Sequence, residues 1–201
     1  ENEPIPSIDL MERASRQIAT WVSGVFGGST RFAFIIGPGN NGGDGLAVAR
    51  MLSEKNYLVE VIMVRISAKL SEDAAINLER LRTGGKVRIT ELREAEGLHI
   101  DDPSVVVVDA LFGSGLKRPC SGLAAGVIAH LNSLPNLKVA IDVPSGLFGE
   151  DNRDNDPDAI VKADYTLALQ APNLSFFFSE NQAYTGIWEV LPIGLHPEIL
   201  E

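Results

Sequence analysis

Ile36-Gly37-Pro38-Gly39-Asn40-Asn41-Gly42-Gly43-Asp44-Gly45 is the stretch that decides the fold. It follows the apolar run Phe32-Ala33-Phe34-Ile35-Ile36 and precedes a helical pattern over Leu46 to Leu52. Gly37, Gly39 and Gly42 satisfy G-x-G-x-x-G in the strand-turn-helix setting that gives the spacing meaning. Glycines there let backbone N–H groups reach phosphate oxygens, and the start of the helix adds a favourable dipole. A tight turn alone would need one or two glycines at positive φ. Five glycines, two asparagines and an aspartate between Gly37 and Gly45 exceed that need and point to a ligand loop.

Working outward, helical and extended segments alternate. Ser7 reads as the N-cap of a helix carrying Leu10, Met11, Ala14, Ile18, Trp21 and Val22. Tyr57 to Val64, Val105 to Val108, Val139 to Ile141, Tyr165 to Leu169 and Ile187 to Leu191 read as further strands, with a short one over 86–89. Ser71 to Leu81 and Leu123 to Leu134 read as helices. Strands apolar throughout and separated by helices predict a mostly parallel sheet covered on both faces, a Rossmann-like three-layer α/β/α sandwich. No internal repeat or linker divides residues 1–201, so one domain is expected. Gly149 to Asp158 is the one strongly polar loop.

The net charge of −10 argues against a nucleic-acid partner, because phosphate binding needs a basic surface or its own local donors. No apolar run approaches the roughly 20 residues of a membrane span, and the start is no signal peptide. Cys120 is the lone cysteine, which excludes an internal disulfide and a cysteine-cluster metal site and fits a reducing cytoplasm.

Two further strand ends carry polar side chains: Asp109-Ala110-Leu111-Phe112-Gly113-Ser114-Gly115-Leu116-Lys117-Arg118-Pro119 and Asp142-Val143-Pro144-Ser145-Gly146. The carboxyl edge of an open α/β sheet is where ligands bind. One aspartate there reads equally as a helix N-cap or turn former and as a ligand group; three Gly-, Asn-, Asp- or Ser-rich loops together point to a site. Asn41, Asp109 and Ser145 together offer oxygen ligands with one carboxylate, a set suited to a hard cation of low charge. A nicotinamide oxidoreductase would want an acid ending the second strand, and Glu60 stands mid-strand instead. His99, His130 and His196 lack metal-ligand spacing. Ser145 lacks a G-x-S-x-G elbow. Cys120 reads as a small buried residue, and Phe176-Phe177-Phe178 as core, with an interface as its alternative.

With these blocks in place, the chain resembles the YjeF N-terminal domain family, the NAD(P)H-hydrate epimerases. The likeness starts at Ile5-Pro6-Ser7 and Leu10-Met11-Glu12-Arg13-Ala14. It continues through the block from Gly37 to Gly45, Asp109 to Gly115, Asp142 to Gly146 and Ala163-Asp164-Tyr165-Thr166, as far as Gly186 to Gly194. The resemblance implies an isomerase that interconverts the R and S forms of NADH and NADPH hydrated at C6 of the nicotinamide ring. It implies that Asn40, Asn41, Gly42, Gly43 and Asp44, with Gly113, Ser114, Gly115, Leu116, Lys117, Arg118 and Pro119, contact the dinucleotide. It implies a potassium site at Asn41, Asp109 and Ser145. Asp142 matches the family's substrate-contacting aspartate and is the catalytic candidate; Lys117 aligns with a lysine implicated in some relatives. Where relatives often carry a lysine after Ala171-Pro172, this chain has Asn173. Relatives usually carry a further helical segment before Ile-Pro-Ser, so the natural chain is expected to begin earlier. A homodimer and a hydratase domain following Glu201 are partners the sequence leaves open. The rival reading from another class is a non-catalytic dinucleotide-binding or protein-interaction scaffold, which has no need of the polar cluster.

Overall fold

The computed structural model describes residues 5–195. Helix α1 (Ser7–Val25) buries Met11, Ala14, Ile18 and Val22, the one-face spacing the sequence carries. Ser7 is not its cap: Pro6 holds that position, and the Ser7 hydroxyl donates instead to Asp73 Oδ2 at 2.5 Å. Then follow β1 (Arg31–Ile36), α2 (Asn40–Glu54), β2 (Leu58–Val64), α3 (Glu72–Gly84), β3 (Arg88–Leu92) and β4 (Val106–Ala110). The chain closes with α4 (Gly122–Ser133), β5 (Lys138–Ile141), β6 (Tyr165–Leu169), α5 (Gln182–Thr185) and β7 (Ile187–Leu191). Ser71 caps α3 by accepting the Ala74 N–H, and Gly85 at φ +64° ends it in the left-handed turn that glycine adopts without strain.

The seven strands form one sheet in the order β3-β2-β1-β4-β5-β6-β7, and every neighbouring pair is parallel. The order reverses between β1 and β4, whose registers bring Ile36 beside Ala110. That reversal leaves a crevice at the carboxyl edge, because the connections from β1 and β4 depart to opposite sides.

One apolar cluster, with Phe32, Phe34, Leu46, Leu52 and Val108, lies between the sheet and α1, α2 and α3. A second, with Ile35, Val107, Ile128 and Leu131, lies under α4. β1 faces both, which is why its sequence is apolar at every position from Phe32 to Ile36. Burying each such large side chain contributes about 1.5–3 kcal/mol. The crossovers from β5 to β6 and from β6 to β7 carry short 3₁₀ turns and α5 rather than a long helix. Among the described residues no helix is long and apolar enough to cross a membrane.

Candidate functional site

The glycine-rich block is helical where the sequence suggests a loop. α2 begins at Asn40, six residues before Leu46, with Gly39 at the cap position, so Asn-Asn-Gly-Gly-Asp-Gly forms its opening turns. Its first backbone N–H groups therefore stand at a helix N-terminus facing the crevice, with no intrahelical partner. Tertiary packing overrides poor helix propensity here. A Cβ at Gly43 would come within 2.8 Å of Met11 Sδ, and one at Gly45 within 2.5 Å of the Ala110 methyl. A Cβ at Gly42 would sit 2.0 Å from the Gly37 carbonyl oxygen, and one at Gly37 1.8 Å from that of Leu111. Gly37 and Gly42 thus keep the loop pressed against the segment leaving β4. Gly39 is the glycine of the three with open space beyond its Cα.

β4 delivers Asp109 fully buried and inside the strand, one residue short of its end. Its Oδ2 accepts the Ser145 N–H at 2.7 Å, and its Oδ1 accepts the Ser145 hydroxyl at 2.6 Å and the Leu111 N–H at 3.2 Å. The Ser145 Oγ in turn accepts the Phe112 N–H at 2.8 Å. Asn41 Nδ2 donates to the Phe112 carbonyl at 2.7 Å. The main chain of Phe112 therefore joins Asn41 to Ser145, and Ser145 joins them to Asp109, the three side chains singled out from sequence. Asn41 is buried, and its Oδ1 has no hydrogen-bond partner among the described residues. An orphaned buried oxygen beside a buried carboxylate and a hydroxyl is a set that a cation would complete. Among the described residues no three His, Cys, Asp or Glu side chains converge as a transition metal would require.

β5 delivers Asp142, whose backbone sits at φ +68°. Its N–H donates to the Leu167 carbonyl, and Val143 N–H closes a γ-turn onto the Ile141 carbonyl, both at 2.9 Å. A non-glycine residue in this region costs on the order of 1–3 kcal/mol and persists where its surroundings hold it. The turn brings the carboxylate to the loop after β4, where Oδ2 accepts the Ser114 N–H at 2.9 Å. Gln170 ends β6 in the same turn, at φ +66°. Its side chain instead accepts the backbone N–H groups of Ile193 and Leu195.

A cavity of about 480 Å³ opens between these loops. Asn40, Asn41, Asp44, Gly113, Ser114, Gly115, Leu116 and Asp142 line it, together with Gly39, Leu111, Phe112 and Leu169. Of the proposed dinucleotide contacts, Gly42 and Gly43 lie behind its wall, and Lys117, Arg118 and Pro119 are exposed beyond its edge. Leu169 and the Phe112 main chain are contributions that residue type did not signal. Glu60 lies half-buried in β2, and Arg65, just past that strand's end, is paired with Glu91. The acid that would hold a dehydrogenase ribose is missing there.

The carboxyls of this site are all pushed upward. Burial, then the neighbouring Asp142 carboxylate, raises Asp44 to about 8; the Ser15 hydroxyl pulls back part of the shift, and Asp73 adds to it. Burial raises Asp109 to about 6 against the opposing bonds from Ser145 and Leu111. Asp142 is raised by burial, with the Ser114 bonds opposing. A carboxyl with a raised folded-state pKa binds more protons folded than unfolded, so its contribution to stability falls as pH rises. For Asp44 that fall spans the interval from the ordinary value of 3.8 to about 8.

Other sequence candidates fall outside this crevice. Burial raises the Cys120 thiol to about 11, which leaves it un-ionised at neutral pH. His99 is exposed, His130 is half-buried on α4, and His196 lies outside the described residues. Phe176 is core, whereas Phe177 and Phe178 are exposed, with Phe177 edge-on to Trp188. A larger cavity of about 600 Å³ lies between the 150–157 loop and Leu174 to Tyr184. Asp44 and Asp142 are absent from its walls, and Asp151, which lines it, is paired with Arg153.

Comparison with known proteins gives the same outline. A bifunctional NAD(P)H-hydrate repair enzyme Nnr from Thermofilum pendens is 38% identical over 168 residues, covering 82% of this chain and 32% of that protein. An NAD(P)H-hydrate epimerase from Rhodopirellula baltica is 32% identical over 202 residues, covering 100% of this chain and 80% of the relative. The crystal structure of yeast ynu0 superposes with a TM-score of 0.73 at 27% identity, over 89% of this chain and 77% of that one. The chain spans about a third of the length of the bifunctional relatives it matches. Residues 7–175 match the family described as YjeF-related protein N-terminus, and the chain belongs to that family.

Proposed function

We propose that this chain interconverts the R and S forms of hydrated NADH and NADPH. The observation that carries the reading is Asp142, a carboxylate held by a strained turn against the wall of a cavity at the strand-order reversal. Relatives spanning most of this chain bear the name NAD(P)H-hydrate epimerase. The substrate's C6 carries a hydroxyl beside the ring nitrogen, so the centre is a hemiaminal and inverts by opening, either to a ring-opened carbonyl or by transient loss of the hydroxyl, and reclosing on the other face. The phosphates of the dinucleotide meet the N–H groups opening α2. The hydroxyl end reaches Asp142, which takes and returns the proton at oxygen. The purified chain is expected to equilibrate separated R and S hydrates faster than they equilibrate spontaneously, as followed by chromatography. A rate equal to the spontaneous one would overturn the reading in favour of a scaffold.

The oxygen cluster is proposed to hold potassium, with Asn41 Oδ1, Asp109 and Ser145 Oγ as side-chain ligands. The ion would join the three loops and offset part of the phosphate charge. Potassium should therefore raise the melting temperature above that in tetramethylammonium at equal ionic strength. At ten times Kd the gain is about 1.4 kcal/mol. Asp109→Asn should shrink the difference. A melting temperature indifferent to potassium would remove the ion from the proposal. The bifunctional relatives point to a second repair activity as the natural partner of this one, in the same polypeptide or another. The cytoplasm, where a thiol such as Cys120 stays reduced, is the proposed location.

A further inference from the structure

We propose that Asp44 is the second proton-transfer group of this site, a carboxylic acid that protonates the ring nitrogen while Asp142 takes the proton of the C6 hydroxyl. The proposal rests on the epimerase reading and adds to it a residue and a route. Opening a hemiaminal needs two proton movements. One carboxylate accounts for one of them.

Asp44 and Asp142 line the same cavity from two elements, the opening turns of α2 and the end of β5. Their surroundings separate their roles. Asp142 accepts the Ser114 N–H, a bond that favours its ionised form. Asp44 is 9% exposed, and the Ser15 Oγ on α1, 3.5 Å from its Oδ1, is its one side-chain hydrogen-bond partner among the described residues. The charged groups that act on it are Asp142 from β5 and Asp73 from α3, both carboxylates. No lysine or arginine figures among the described groups that act on it. A buried carboxyl among acids keeps its proton, and the burial and charge described above hold Asp44 protonated at neutral pH. A purely structural role would be better filled by asparagine, which carries no ionisation penalty.

In the forward step the Asp142 carboxylate accepts the hydroxyl proton and the C6–N1 bond breaks. The electron pair passes to N1, which takes the proton of Asp44, and C6 becomes an aldehyde carbon. Rotation about C5–C6 presents the other face. N1 then attacks C6 and returns its proton to Asp44, while the new alkoxide recovers a proton from Asp142. Atoms and charge balance with no outside reactant.

The test uses the intact chain with Asp44→Asn and, as a second packing control, Asp44→Ser. The expected result joins two readouts. Asp44→Asn lowers kcat by about 10² or more, the scale for losing a general acid, while KM changes little. Its melting temperature at pH 8 rises above that of the wild type, and the gain shrinks toward pH 4. The wild-type rate should also fall as pH rises past about 8, a limb the variant lacks. An Asp44→Asn protein with unchanged kcat and raised KM would make Asp44 a binding group and overturn the assignment. So would loss of stability in both variants. A wild type without epimerase activity would sink the parent reading instead, whereas an active wild type with an active Asp44→Asn sinks this inference alone.

Discussion

Asp142→Asn slows interconversion of the R and S hydrates by a factor of about 10² or more, the range for removing one acid/base group. The variant is informative because the fold should survive it. Asn tolerates the left-handed backbone as well as Asp does. The amide oxygen can still accept the Ser114 N–H that Asp142 Oδ2 accepts at 2.9 Å. Dinucleotide affinity should change much less than the rate, because the N–H groups opening α2 are untouched. Chromatographic separation of the hydrates over time, less the spontaneous rate, reads the first quantity, and calorimetry the second. A fully active Asp142→Asn would remove Asp142 from the chemistry.

Gly37→Ala and Gly42→Ala each lower stability by about 4 kcal/mol or more, into the exceptional range for a single change. The added methyl carbons would lie 1.8 Å from the Leu111 carbonyl and 2.0 Å from the Gly37 carbonyl. Both obstacles are backbone, so relief requires moving the Gly37 loop away from Leu111 in one case and α2 away from that loop in the other, and ordinary overpacking at 1–3 kcal/mol understates the cost. Gly115→Ala meets nothing within 4 Å and should fall within about 0.5 kcal/mol of the wild type. Gly39→Ala also meets nothing within 4 Å, and like Gly115 it borders the cavity, at the start of α2. It should therefore spare stability and weaken dinucleotide binding. Denaturant unfolding and calorimetry on the four variants check the division. Equal effects from all four would show that the glycines act as one flexible loop.

The sheet was readable because apolar runs such as Phe32 to Ile36 and Val106 to Val108 are buried on both faces, which leaves no polar position to blur them. The opening of α2 was not. Local propensity counts Gly42, Gly43 and Gly45 against a helix; the reason for Gly43 and Gly45 lies largely in Met11, Ala74 and Ala110, distant in sequence, and that for Gly42 in the fold of the turn back onto Gly37. Asp109 marked the site while misplacing the strand end, since a carboxylate inside a strand is tolerable only when Ser145 and Leu111 bond it. The Phe112 peptide that ties the cluster was invisible, because any residue supplies a backbone carbonyl. Asp44 was legible as a ligand-loop residue. Its protonation depends first on burial and then on the Asp142 carboxylate, with Ser15 opposing and Asp73 adding, and no local spacing connects these groups to it.

The turn at Asp142 also bears on how this family can diverge. Glycine suits a left-handed backbone better than any other residue, so selection for folding alone pulls the position toward glycine. An aspartate survives there only while something else rewards the carboxylate. A lineage that gave up catalysis and kept the scaffold would be free to drift to glycine, gaining stability on the way. On the catalytic role proposed for Asp142, glycine at this position is expected in copies of the domain that no longer epimerise, and a glycine-bearing copy that still does would contradict that role.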